Sequence, residues 1–377
     1  MRLLAAATLC LAIAAAPAAT TPAAPPDKAQ VEALIGQAQT WLLAQQQPDG
    51  AFLPGNQFAV GITAMAVEIL SRPPAAIAAD DARIAKALAY LKGKTQADGG
   101  VYDPQEDLGN YGTSFTLMAA TAAQSQDAAW LAGMQRYLKG LQNQDADAIH
   151  EGGIGYGSKG KGHEDLSNTS VAVAALRASG VPANDPALER ALKFMERCQN
   201  LSSVNKADWA GTDGGAVYAP DESKAGGSQD PKAGQAGQEP PAMTSYGSMT
   251  YALISSYLAL DLKPDDERLK AALDWVTRNY RFDGNPGMRK GRELEGLFYY
   301  YAMMAKTFDA LDLEEVTLPD GTKADWRADL FAAISEKAIP ADGGVQWMNT
   351  EKRWGESLPH LATVYMLRAL KSIHHEL

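Results

Sequence analysis

The chain has 377 residues, with 45 acidic side chains against 34 basic ones and a formal net charge of −11. Hydrophobic residues make up 46% and charged residues 21%, a globular balance rather than that of a disordered or fibrous chain. The negative charge weighs against nucleic acid and against an anionic membrane surface as partners, because both need a basic face.

The N-terminus carries the pattern of an export signal. Arg2 precedes an apolar run from Leu3 to Ala16, and Ala16-Pro17-Ala18 is an A-x-A cleavage site. The run is short for a bilayer span, and no second candidate follows, so no transmembrane anchor is expected after cleavage. The reading is residues 1–18 as signal peptide, 19–27 as flexible leader, and a mature chain that is periplasmic or extracellular. Removing Arg2 takes the charge from −11 to −12, and only Cys198 remains, so no intramolecular disulfide can form.

One unit then repeats six times. An amphipathic helical pattern runs through "VEALIGQAQTWLLAQQ", followed by the turn "PDGAF" at Asp49 and a more apolar segment, "AVGITAMAVEIL". Equivalent turns follow at Asp98, Glu151, Asp213, Asp283 and Asp342, spaced by 49, 53, 62, 70 and 59 residues. The glycines supply the positive φ such turns require, and repetition turns six weak signals into a strong one. Trp41, Tyr90 and Trp275 each stand eight residues before their turn acid, which marks one packing position between helices. The second helix of each unit, such as "LSNTSVAVAALRAS" or "LEGLFYYYAMMAKTF", is apolar on most faces, as a buried helix is.

Six exposed helices alternating with six buried ones are best satisfied by a closed ring, which leaves no unprotected end repeats. The expected fold is all-α: an (α/α)6 toroid of six inner and six outer helices over residues 28–377, in a single domain and as a monomer. Two insertions interrupt the repeat, at 201–212 and at the polar, Gly/Pro-rich 219–243, which is expected to lie over one mouth of the ring.

The turn endings Gly100-Val101-Tyr102 and Gly344-Val345-Gln346-Trp347 resemble the QW repeat of the prenyltransferase and squalene-oxidase repeat proteins. That superfamily contains the triterpene cyclases and the protein prenyltransferase β subunits. "DLSNT", "SYGSMTYA", "NPGM" and "GLFYYYAMMAKTFDAL" resemble segments of its exported, single-domain bacterial members, over nearly the whole mature chain. The resemblance implies the fold; it brings no activity with it. Cyclases protonate an alkene from a DxDDT motif, but Ser167 and Asn168 occupy the second and third acidic positions here, and neither can supply that proton. Prenyltransferases hold zinc with Asp, Cys and His. The matching positions are Glu295, Leu297 and His360, one ligand short of a catalytic set, so no metal and no cofactor is expected.

In a toroid the starts of the inner helices gather at one mouth. That collects Asp107, Asn110, Tyr111, His163, Asp165, Ser167, Asn168, Ser245, Tyr246, Ser248, Glu293, Glu295, Trp354, Glu356 and His360 as candidate mouth residues. Alone, each is more often a cap or a solvated side chain; Asp165 or Ser167 is expected to cap the helix that begins there. Tyr251, Phe298, Tyr299, Tyr300 and Tyr301 are the candidates for aromatic cavity walls, although four consecutive residues span every face of a helix. The preferred reading is a toroid holding an apolar or amphipathic small molecule, isoprenoid- or lipid-like. The alternatives are an enzyme built from Glu293, Glu295, His360 and Asp165, or a carbohydrate-active lyase or hydrolase.

Overall fold

An aspartate precedes each amphipathic segment, and each becomes a helix start. The computed structural model describes residues 25–55, 58–146, 148–157, 163–227, 243–375 and 377. The export signal 1–18, the first part of the leader and 228–242 of the long insertion lie outside the described residues. The first three repeats form α1 (Lys28–Ala44), α2 (Ala59–Leu70), α3 (Ala82–Gly93), α4 (Gly109–Ala122), α5 (Ala128–Gly140) and α6 (Leu166–Ala178). The last three form α7 (Pro186–Cys198), α8 (Gly247–Ala259), α9 (Glu267–Arg278), α10 (Leu297–Ala310), α11 (Trp326–Glu336) and α12 (Pro359–His375). Two short hairpins, β1 (Val316–Thr317) with β2 (Lys323–Ala324) and β3 (Ile339–Ala341) with β4 (Gly344–Gln346), and one 3-10 turn at Arg353–Gly355 complete the described elements.

Odd-numbered helices form the outer ring. Asp27, Asp81, Asp127, Asp185, Asp266 and Asp325 each accept a backbone N–H from the first turn of the helix they precede. Such a cap satisfies one orphan donor and is worth about 1 kcal/mol. Even-numbered helices form the inner ring. Each packs on the next, α2 on α4 and so on to α10 on α12, and α12 returns to α1 and α2, which closes the ring.

The inner helices solve their N-terminal problem differently. The amides of Asn110, Leu166 and Gly247 donate to the carbonyls of Tyr156, Tyr218 and Pro286, each in the turn of the following repeat. A threonine early in five inner helices, Thr63, Thr113, Thr169, Thr250 and Thr363, accepts the amide of Phe52, Val101, Ile154, Ala216 or Trp347 in its own turn. In the fifth repeat the hydroxyls of Tyr300 and Tyr301 perform this anchoring, donating to the carbonyls of Arg281 and Phe282.

The turn glycines are required by close approach as well as by φ. A Cβ on Gly152 (φ +82°) would lie 2.1 Å from the carbonyl oxygen of Arg190 in α7, and one on Gly344 2.0 Å from that of Gln37 in α1. The sixth turn thus docks on the first outer helix as earlier turns dock on the next. Trp41 and Trp275 are buried and Tyr90 half-buried between neighbouring elements.

Candidate functional site

The inner ring encloses a cavity of about 390 Å³, within the range of small-molecule sites. Phenol rings crowd its mouth. Tyr111 and Tyr299 come from the first turns of α4 and α10, Tyr246 from the start of α8, and Tyr156 and Tyr218 from the turns of repeats three and four. The Tyr156 and Tyr218 hydroxyls lie 3.1 Å apart, and Tyr111 Oη lies 2.9 Å from Ser167 Oγ. Trp354, 40% exposed, forms part of the rim against Gly296. Deeper, Phe115, Met118, Val171, Ala174, Ala252 and Met303 make an apolar wall.

Two carboxyls stand behind this mouth. Asp165 is the N-cap of α6: Oδ1 accepts the amide of Asn168 at 2.8 Å, while Oδ2 accepts from Asn168 Nδ2 at 2.7 Å and from Tyr218 Oη at 2.8 Å. It is fully buried, and burial pushes its carboxyl up to about 6 against the pull of those donors. Glu356 reaches from the loop before α12 to the start of α10, where no side chain of that helix caps it. Its Oε1 accepts the Tyr299 amide and its Oε2 accepts Asn349 Nδ2, both at 2.7 Å. Burial pushes Glu356 up to about 7, and unlike Asp165 it lines the cavity.

Of the mouth residues expected from sequence, Tyr111, Ser167, Tyr246, Ser248, Trp354 and Glu356 line the cavity. Asn110 and Asn168 are buried and bonded to each other, Nδ2 of Asn110 to Oδ1 of Asn168 at 3.1 Å, which ties α4 to α6 behind the wall. Asp107 and His163 are exposed and Ser245 bonds Asp213 at 3.0 Å, so none of the three lines the cavity. The acid set expected of an enzyme does not assemble there. Glu295 is paired with Arg292 and Arg353, the half-buried Glu293 abuts Gly284, and His360 packs on Trp41 with ring centroids 5.4 Å apart. Burial lowers the basicity of His360.

The aromatic expectation needs a similar correction. Tyr299 lines the cavity; Tyr251, Phe298, Tyr300 and Tyr301 do not. Those four rings pack edge-on or tilted against one another and against Phe308 and Phe282, because the opposite faces of α8 and α10 turn toward the outer ring. Sequence reasoning misses Tyr102, Tyr156 and Tyr218 as wall residues, though each is the aromatic residue that ends its turn, one residue past the threonine-bonded amide in Tyr102 and two past it in the other two.

It also misses a charged layer at the far end of the cavity. Lys306 and Arg368 line it, and Glu68 lies beside them, fully buried. Each stands nine residues after the start of its helix, α10, α12 and α2, so the three share one level about 14 Å below the mouth. Glu68 is gripped by Arg368 and by Arg72, whose Nε lies 2.5 Å from Oε1. Burial alone would raise the Glu68 carboxyl, and the two arginines overcome it and hold the group below its ordinary range. A charged residue recurring at one register of otherwise apolar helices is the signal that marks this layer.

No protein-family model matches the chain, and no curated protein sequence does. Solved structures are similar. The type II terpene cyclase MstE from Scytonema, in a variant bound to its product merosterolic acid A, is 14% identical with a TM-score of 0.57, covering 93% of this chain and 99% of that one. The GH76A alpha-1,6-mannanase from Salegentibacter is 11% identical with a TM-score of 0.57, covering 92% and 100%. A protein from Actinoplanes is 13% identical with a TM-score of 0.54, covering 92% and 99%. Likeness at such identity concerns the fold. By its ring of six inner and six outer helices, this chain is an α/α toroid of the kind shared by type II terpene cyclases and GH76 mannanases.

Proposed function

We propose that the toroid holds an apolar or amphipathic small molecule, isoprenoid- or lipid-like, in its central cavity. The observation that carries this reading is the wall itself: methionine, alanine, valine and phenylalanine below a rim of phenols. Burying apolar surface there is favourable at roughly 25 cal/mol per Å², and few polar atoms compete for it. A sugar would bring hydroxyls to a wall that offers them little, which sets the mannanase-like alternative second. MstE has been solved with geranylgeranyl dihydroxybenzoate as substrate, an isoprenoid on a polar head. The positions that match the cyclase motif offer no proton donor to the cavity: Ser167 shares a hydrogen bond with Tyr111, Asn168 is an amide, and Asp165 sits behind Tyr218. We further read residues 1–18 as an export signal and residues 28–377 as one monomeric domain.

The test is mass spectrometry of organic extracts from mature protein purified without detergent, with Ala174→Phe as control. Ala174 lies on the cavity wall, and a phenyl ring there would occupy the space. A stoichiometric lipid in wild type and its loss from the folded variant are expected. An equal yield from both proteins, or no lipid in either, would refute cavity binding.

A further inference from the structure

Lys306 is the cavity's anomaly. It sits in an otherwise apolar stretch of α10, and among the described residues no hydrogen bond or ion pair is made by its Nζ. Burial, with repulsion from Arg368 and Arg72, lowers its basicity to about 8 against the attraction of Glu68. That one carboxylate is already held by both arginines. Lys371 adds a fourth cation to the layer, its Nζ bonded to the carbonyls of Arg72 and Pro74. Arg72 is about half exposed, but Lys306, Arg368 and Lys371 are largely buried, with Glu68 as their one carboxylate among the described residues. Such a net positive layer is costly and out of keeping with a protein of net charge −11.

The common explanation for buried cations near helix ends is complementation of the helix dipole, which acts within the last turn. Within α10 and α12 it does not cover Lys306 and Arg368, although Lys371 does donate to carbonyls just past the end of α2. The last turn of α10 follows Lys306, ending at Ala310, and α12 runs seven residues past Arg368 to His375. Both side chains instead line the cavity.

We propose that Lys306, with Arg368 beside it, forms an anion subsite at the cavity floor, so that the ligand is an amphiphile with an acidic head, a carboxylate or phosphate ester, held head-down. The apolar tail then lies along Met303, Phe115 and Val171 toward the tyrosine rim. The inference rests on the cavity-binding reading and adds the head group and its direction. An acidic head completes the pairing that Glu68 leaves unfilled, and the ammonium gains a charge-assisted hydrogen bond in place of none.

The experiment measures Kd by calorimetry at pH 7 for three probes with one tail: dodecanol, dodecanoate and dodecyl phosphate. Wild-type protein should bind at least one of the two acids about tenfold or more tighter than the alcohol, as a charged hydrogen bond in a dry site provides. Which acid is preferred distinguishes a carboxylate from a phosphate ligand. Lys306→Gln should abolish that preference by weakening the acids more than the alcohol, whereas Lys306→Arg should retain it. Equal binding of alcohol and acids by wild type, or a preference that survives Lys306→Gln, would overturn the subsite while leaving the apolar cavity standing. Binding of none of the three would overturn the cavity reading and the subsite together.

Discussion

Replacing Asp165 by asparagine should change how stability depends on pH. In the folded protein the carboxyl is sealed between α6 and Tyr218, and burial raises it from 3.8 to about 6. The folded state therefore holds its proton more tightly than the unfolded chain, and stability falls as pH rises through that window. At about 1.36 kcal/mol per pH unit, the loss between pH 3.8 and 6 is about 3 kcal/mol. It is essentially complete by about pH 7, and the asparagine variant does not share it. Urea unfolding of both proteins at steps from about pH 4 to 7 isolates the term, because the other carboxyls are common to both and cancel. The difference, variant minus wild type, should grow by about 2–3 kcal/mol in favour of the Asp165→Asn variant across that range. Its absolute value also contains the altered hydrogen bonds to Asn168, so the slope is the quantity to read. A difference that stays flat would show that Asp165 ionises as an ordinary carboxyl does, and would refute its burial as an acid sealed behind Tyr218.

Glu356→Gln should show the same sign over a higher window, about pH 4.5 to 7, because burial raises Glu356 to about 7; the same titration checks it. Thr169→Val should destabilise by about 1–3 kcal/mol in urea unfolding, since the buried Ile154 amide, now 2.9 Å from Thr169 Oγ1, would lose its acceptor. Cys198 is fully buried and its thiol is pushed well above the ordinary range. Native protein lacking residues 1–18 should therefore resist a thiol reagent, and one equivalent should react once the chain is unfolded; rapid native labelling would contradict this packing.

The repeat makes most of the fold legible. Turn acids and glycines at regular intervals, amphipathic segments before them and apolar ones after them, name twelve helices and their division into two rings. The capping aspartates and the recurring threonine follow the same register, so local chemistry and global closure agree. "DLSNT" reads as a helix start, and its aspartate is the cap. Which face of an inner helix looks inward is not readable. "FYYYAMM" is apolar and aromatic all round, and no polar face marks the side that meets solvent, so nothing in the sequence separates Tyr299 from Tyr300 or Tyr301.

Sequence alone therefore determined the toroid, because helix periodicity and turn chemistry are local and were stated six times. Tertiary structure decided the site. It withdrew Glu295 and His360 into contacts of their own and brought Tyr156 and Tyr218 from separate turns to one rim. It set Lys306 and Arg368 on a shared level with Glu68, far apart in the chain. A cavity is a property of several faces meeting. The charge left unbalanced at its floor is visible only when the partners each cation has found can be counted against those it lacks.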